Sequence, residues 1–147
     1  MDFDTSVKLN IYEMVARTTR IPTSIDVALG IGSSMADVEQ AFQRLCEKRL
    51  LVLEPGSSSR IRMAPPFSGI PTQHRVTSDG ISYYANCAWD ALGIPAALHR
   101  PAIVHSRCEQ SLQPLELEIS ERGPQASDWL FHCVVPASQW WDNIVFT

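Results

Sequence analysis

Apolar residues recur at three- and four-residue steps from Ser6 to about Arg17, where Val7, Ile11, Met14 and Val15 share one face. That period predicts an amphipathic helix. Ile21-Pro22-Thr23-Ser24 interrupts it, and Ile25, Ala28 and Leu29 mark a shorter helix that stops at Gly30 and Gly32. Ser34 followed three residues on by Asp37 is a capping-box signature, and Val38, Ala41, Phe42 and Leu45 line one face of the third helix it opens. Leu50-Leu51-Val52-Leu53 then reads as a strand, residues 54–59 as a polar turn and Arg60-Ile61-Arg62-Met63 as a returning strand. Three helices and a hairpin predict a winged-helix-like domain over residues 1–66.

Residues 64–71, Ala-Pro-Pro-Phe-Ser-Gly-Ile-Pro, have no period and are dense in proline and glycine, which makes them the best boundary. Beyond it, His74-Arg75-Val76-Thr77 and Ile81-Ser82-Tyr83-Tyr84 flank Ser78-Asp79-Gly80, an Asp-Gly hairpin signal. The second of these strands leads into a short helix from Asn86 to about Ile94, which Pro95 ends or kinks. Ala102-Ile103-Val104-His105 reads as a strand, residues 108–113 as a turn, and Leu115, Leu117 and Ile119 alternate with Glu116 and Glu118 as a half-exposed strand does. Arg122-Gly123-Pro124 turns the chain again. Residues 129–135 are expected as a further strand, 136–141 as a short helix or turn, and Ile144-Val145-Phe146 as the start of another strand that Thr147 cuts off. The expected fold class is α+β, with a mainly antiparallel sheet domain over residues 67–147 carrying the short helix.

The 147 residues, 45% hydrophobic, are enough for one moderate core or two small ones. A net charge of −4 offers no general attraction to nucleic acid or anionic membrane. Residues 1–66 carry eight Lys and Arg against eight Asp and Glu, where a phosphate-binding domain shows a basic excess. Asp37 and Glu39 also open the helix that would have to face DNA. Nucleic-acid binding is therefore not expected. No apolar run approaches the roughly 20 residues of a membrane span, and Met1-Asp2-Phe3-Asp4 is acidic where a signal peptide is basic. A cytoplasmic location is expected.

The chemistry-bearing spacing is Cys87-x-x-Asp90, which puts a thiol and a carboxyl one helical turn apart on one face. Asn86 is a good N-cap, which would place Cys87 in the first turn, where unpaired amides and the helix dipole favour a thiolate. Asp90 opposes a second negative charge. The two groups could share one proton, with sulfur as nucleophile or metal ligand and oxygen as proton carrier. Cys46, Cys108 and Cys133 show no CxxC or CxxH pairing, and Cys46 reads as a buried small hydrophobe. His74, His99, His105 and His132 show no ligand spacing.

Tyr83-Tyr84, Cys87-x-x-Asp90, Ile94-Pro95-Ala96-Ala97-Leu98 and Cys108 in Ser106-Arg107-Cys108 together resemble the active-site segment of the alkylmercury (organomercurial) lyases. The resemblance covers about residues 76–147 and, in architecture only, the first domain, which in that family is a similar domain that does not bind DNA. It implies protonolytic cleavage of a carbon–mercury bond to a hydrocarbon and Hg(II). Cys87 would hold the substrate mercury, Asp90 would deliver the proton, and Cys108 would be structural. It also implies no added cofactor beyond external thiols, and handover of Hg(II) to a thiol or a mercuric reductase. The family has a second catalytic cysteine on a strand near the position of Thr147, and none stands here. Two expectations follow, a truncated form of a longer protein or a diverged member working with one thiol, with Cys133 on a different strand as a substitute. Two further readings are a lyase-fold enzyme for another substrate and a winged-helix regulator or metal sensor with Cys87 and Cys108 as ligands.

Overall fold

The computed structural model describes residues 1–146, so Thr147, where the last expected strand would end, lies outside the described residues. The chain opens with α1 (Phe3–Thr18), α2 (Ser24–Ile31) and α3 (Met35–Glu47). Each begins where a short polar side chain accepts an amide that a helix leaves unpaired at its start. Asp2 accepts from Thr5, Thr23 from Asp26 in a full capping box, and Ser34 from Asp37. Of the predicted face residues, Val7, Ile11, Val15, Val38, Ala41, Phe42 and Leu45 are buried, and Met14 is half-buried. In α2 the inward residues are Ser24, Val27 and Ala28, while Ile25 and Leu29 face out. Apolar residues surround that short helix, so their period does not choose a face.

Polar contacts tie the helices together. The Asp4 carboxylate takes the Arg44 guanidinium at 2.7 Å and the Lys48 ammonium at 3.0 Å, joining α1 to α3. Glu39 accepts from the Ser24 hydroxyl at 3.1 Å and the Ser58 hydroxyl at 2.8 Å. Its charge holds α2 and the 54–59 turn onto α3.

Strands β1 (Val52–Leu53) and β2 (Ile61–Ala64) make the expected hairpin, and β3 (Phe67–Ser68) adds to it in the order β1-β2-β3. Met63 lies opposite Ser68 and Ala64 opposite Phe67. The proline-rich stretch is thus folded into this sheet. A second antiparallel sheet has the order β5-β4-β6-β7-β8, built from β4 (Arg75–Ser78), β5 (Ile81–Tyr84), β6 (Ala102–Arg107), β7 (Pro114–Ser120) and β8 (Gly123–Pro124). Asp79 and Gly80 join β4 to β5 with φ of 50° and 77°, the left-handed pair that a tight two-residue hairpin requires. Helix α4 (Ala88–Leu98) lies against β4 and β6. It runs through Pro95 for three more residues before His99 caps it in the left-handed conformation. Proline here removes one backbone donor close to the helix end, where few bonds remain to lose.

One buried apolar cluster runs from Val7 through Phe42, Phe67 and Tyr83 to Ile119. Tyr12, Phe67 and Tyr83 form an aromatic file across it, with ring centroids 6.1 and 5.6 Å apart. Tyr83 is 1% exposed, and its hydroxyl donates to the Ala16 carbonyl of α1 at 2.8 Å. The architecture is α+β.

The last part of the chain departs from the sequence reading. Residues 129–135 join neither sheet, and 143–146 form a turn instead of a strand, with the Phe146 amide donating to the Asn143 carbonyl. Between them stands a 3-10 helix (Ala137–Asp142). The outer edge of β7 is paired only with the two residues of β8, and the 129–135 segment does not extend that ladder. Leu130 is 91% exposed.

Candidate active site

Tyr84 ends β5 and Ala88 begins α4, leaving Ala85, Asn86 and Cys87 to make the corner. The cap lies one residue later than the sequence reading put it. Cys87, extended at φ −151° and ψ 179°, is itself the N-cap, and its sulfur accepts from the Asp90 backbone N–H at 3.4 Å. Asn86 is drawn elsewhere. Its side-chain Nδ2 donates to the Phe67 carbonyl at 3.2 Å and to the Asp90 carboxyl at 2.9 Å. Phe67 also bridges to Ala85, so the first sheet fixes the position of this corner.

The sulfur and the carboxyl are therefore brought together, one turn apart and both half-buried. Burial pushes the Cys87 thiol up; the Asp90 N–H pulls it down, and the Asp90 charge adds to the rise. The amides at the helix start do lower the thiol, as the sequence reading has it, but desolvation of the charged sulfur is the larger influence. Burial also pushes the Asp90 carboxyl up, against the Asn86 hydrogen bond, which lowers it. Both groups hold their protons more firmly than in water. A soft metal that binds sulfur would displace the thiol proton beside an acceptor already inclined to take it.

Two contributors come from parts of the chain where the sequence showed no chemistry. Tyr12, on α1, is close enough to Asp90 that the carboxylate charge adds to burial in pushing its phenol up to about 12. Its hydroxyl donates to the Pro65 carbonyl at 2.6 Å. On the other side, the Trp89 ring, 55% exposed, meets Phe131 at 5.7 Å between centroids. This contact brings the 129–135 segment beside the start of α4. Exposed Cys133 is within electrostatic reach of Cys87, as the least of the influences on its thiol.

The remaining cysteines lie apart. Cys108 sits in the turn between β6 and β7, where its sulfur accepts from the Ser111 amide at 3.5 Å. Hydrogen bonds from Ser111 hold its thiol below the ordinary range. Cys46, in the last turn of α3, is half-buried and its thiol is pushed up by burial, which suits a small side chain packed in the core. His74 bonds the Ser106 hydroxyl through Nδ1 at 2.7 Å, and His105 faces Glu116 at 3.4 Å. Among the described residues no three of His, Cys, Asp and Glu are grouped to hold a metal ion.

The family model for alkylmercury lyase matches residues 67–147. Curated alkylmercury lyases of Bacillus cereus and of Clostridium butyricum are each 40% identical to this chain over 94 residues, which is 64% of this chain and 40% of the relative. The chain thus spans about two fifths of the length of the curated relatives it matches. The mercury-bound crystal structure of MerB2 superposes with a TM-score of 0.58 at 20% identity, covering 84% of this chain and 68% of that one. At that identity the likeness is one of fold.

Proposed function

The chain belongs to the alkylmercury lyase family, and from that premise we propose that it cleaves carbon–mercury bonds, with Cys87 as the mercury-binding nucleophile and Asp90 as the proton carrier. The observation that carries this reading is the paired thiol and carboxyl at the start of α4, with the Asp90 N–H on the Cys87 sulfur at 3.4 Å.

In the proposed sequence the Cys87 sulfur forms a bond to mercury of an R–Hg substrate, and its proton passes to the Asp90 carboxylate. Asp90 then returns that proton to carbon, which takes it with the electron pair of the breaking carbon–mercury bond. The products are R–H and Hg(II) on the sulfur, with no change of oxidation state. An external thiol takes Hg(II), and the proton it gives up returns, directly or through water, to the Cys87 sulfur. No step calls on a resident cofactor. Hg(II) leaves on that thiol or passes to a mercuric reductase. Softness supports the choice of ligand, since thiolate suits mercury better than the oxygen or nitrogen donors nearby.

In this reading residues 67–147 are the catalytic unit and residues 1–66 a winged-helix-like unit that supplies a wall through Tyr12 instead of reading DNA. The use of Arg44 and Lys48 by Asp4, and of Glu39 by two serines, supports that assignment. Cys108 is assigned a structural part, supported by its hydrogen bond within the β6–β7 turn. A cytoplasmic setting suits four free cysteines. Among the described residues no helix is long and apolar enough to cross a membrane.

The test is turnover of methylmercury or phenylmercury by the chain in excess thiol, scored by hydrocarbon and Hg(II) release. Turnover that disappears in Cys87→Ser and Asp90→Asn supports the reading; turnover that survives both refutes it.

A further inference from the structure

The geometry points to Asn86 as a positioning residue for Asp90, one that keeps carboxyl oxygen Oδ2 as a hydrogen-bond acceptor and so leaves the mobile proton to Oδ1. The inference rests on the lyase reading for what the proton does, and on hydrogen bonds alone for where it sits.

The argument begins with the amide. Asn86 Nδ2 has two N–H groups, and the structure gives each an acceptor: the Phe67 carbonyl at 3.2 Å and Asp90 Oδ2 at 2.9 Å. Turning the amide end for end would set its oxygen against the Phe67 carbonyl, two acceptors with no proton between them whichever state Asp90 is in. The Phe67 carbonyl belongs to β3 and cannot turn away, because Phe67 is paired with Ala64 and bridged to Ala85. The orientation is therefore locked by backbone outside α4.

The other end of the amide agrees. Asn86 Oδ1 is buried with no hydrogen-bond partner. A buried acceptor left unmet opposes folding, so the amide is held for its two donors at the expense of its oxygen.

The consequence falls on Asp90. A donor locked onto Oδ2 is compatible with the carboxylate and with the neutral acid only if Oδ2 is the carbonyl oxygen of that acid. A proton on Oδ2 would point at an N–H. When Asp90 holds the proton from Cys87, the proton is on Oδ1, for which no hydrogen bond within the described chain competes. The carboxyl cannot spin to average the two oxygens, and the proton leaves from a single place, which is what transfer to a fixed carbon requires.

Two measurements test this. In the first, the two Asn86 side-chain amide protons of the whole chain are followed by 1H–15N NMR. Asp90→Ala is expected to move one of them and leave the other, still on Phe67, in place; movement of neither overturns the clamp. In the second, organomercurial turnover is compared for the wild type, Asn86→Ala and Asn86→Asp. The expected result is a fall in kcat of about ten- to a hundredfold with KM little changed. Asn86→Asp, which keeps the shape and loses both donors, is expected to fall at least as far. A kcat within twofold of wild type in a folded Asn86→Asp, or a loss confined to KM, overturns the proposal. Should Asn86→Ala fail to fold, Asn86→Asp alone decides. A wild type without turnover whose amide protons nonetheless respond to Asp90→Ala would uphold the clamp and sink the lyase reading.

Discussion

Tyr12 on α1 and Asp90 on α4 are electrostatic neighbours, although 78 positions separate them in the sequence. The phenol owes its high value of about 12 first to burial and then to the carboxylate. A tyrosine so reluctant to ionise is a wall, not a base. Tyr12→Phe removes the hydrogen bond to the Pro65 carbonyl and keeps the ring on Phe67. We expect a loss of about 1 kcal/mol in urea unfolding with kcat altered less than threefold or so. A loss of turnover as large as that of Asp90→Asn would put Tyr12 in the proton path instead.

Stability should respond to pH in opposite senses at two aspartates. Asp90 is pushed up by burial, so its contribution is complete below the ordinary carboxylate range and is lost as pH rises through its folded value. Asp4 is held down first by the Arg44 hydrogen bond, so its contribution is present above that range and is lost as pH falls. Asp90→Asn should therefore be more stable than wild type near neutral pH and no different in acid, whereas Asp4→Asn should be weaker near neutral pH and no different in acid. Urea midpoints at about pH 2 and pH 7 check both.

Cys87 and Asp90 are predicted to fail in distinguishable ways. Cys87→Ser should lose turnover together with the organomercury mass increase on the peptide that spans position 87, while the other free cysteines can still take up the metal. Asp90→Asn should still take up organomercury on sulfur, seen as a mass increase on the Cys87 peptide, while releasing hydrocarbon about a hundredfold more slowly or worse. Equal loss of uptake in both variants would show that the carboxyl helps to bind rather than to protonate.

The Trp89–Phe131 contact makes a separate, purely structural prediction. An aromatic pair of this geometry is worth about 1 kcal/mol. Trp89→Ala should therefore leave the sheets intact and raise the rate of proteolytic nicking around Phe131 about fivefold. Unchanged nicking would mean that other contacts hold the segment.

Much of the frame was legible because its signals are local. Ser34 and Asp37 announce the start of α3, Asp79 and Gly80 announce a hairpin, and the alternation at Leu115, Leu117 and Ile119 announces β7, each within a few residues. The pairing of Cys87 with Asp90 was legible for the same reason. The cap shifted by one position because asparagine is the better local acceptor, yet its amide is claimed by Phe67, a partner on another sheet. Tyr12 was invisible as a site residue because its nearness to Asp90 exists only after the two sheets close on α1. Residues 129–135 misled because apolar content predicts burial, whereas this segment pairs with neither sheet and its Phe131 packs on the exposed Trp89 ring instead.

The tie between the Tyr83 hydroxyl and the Ala16 carbonyl reaches beyond packing. It anchors the strand that leads to Cys87 to the last turns of the opening helix. Heat that loosens the front bundle should silence the sulfur chemistry at the same temperature, with no surviving remnant. A fragment starting at residue 67 would present the rings of Phe67 and Tyr83 to water and should clump. The helical part that holds neither Cys87 nor Asp90 is thus the buttress without which that pair has no fixed address.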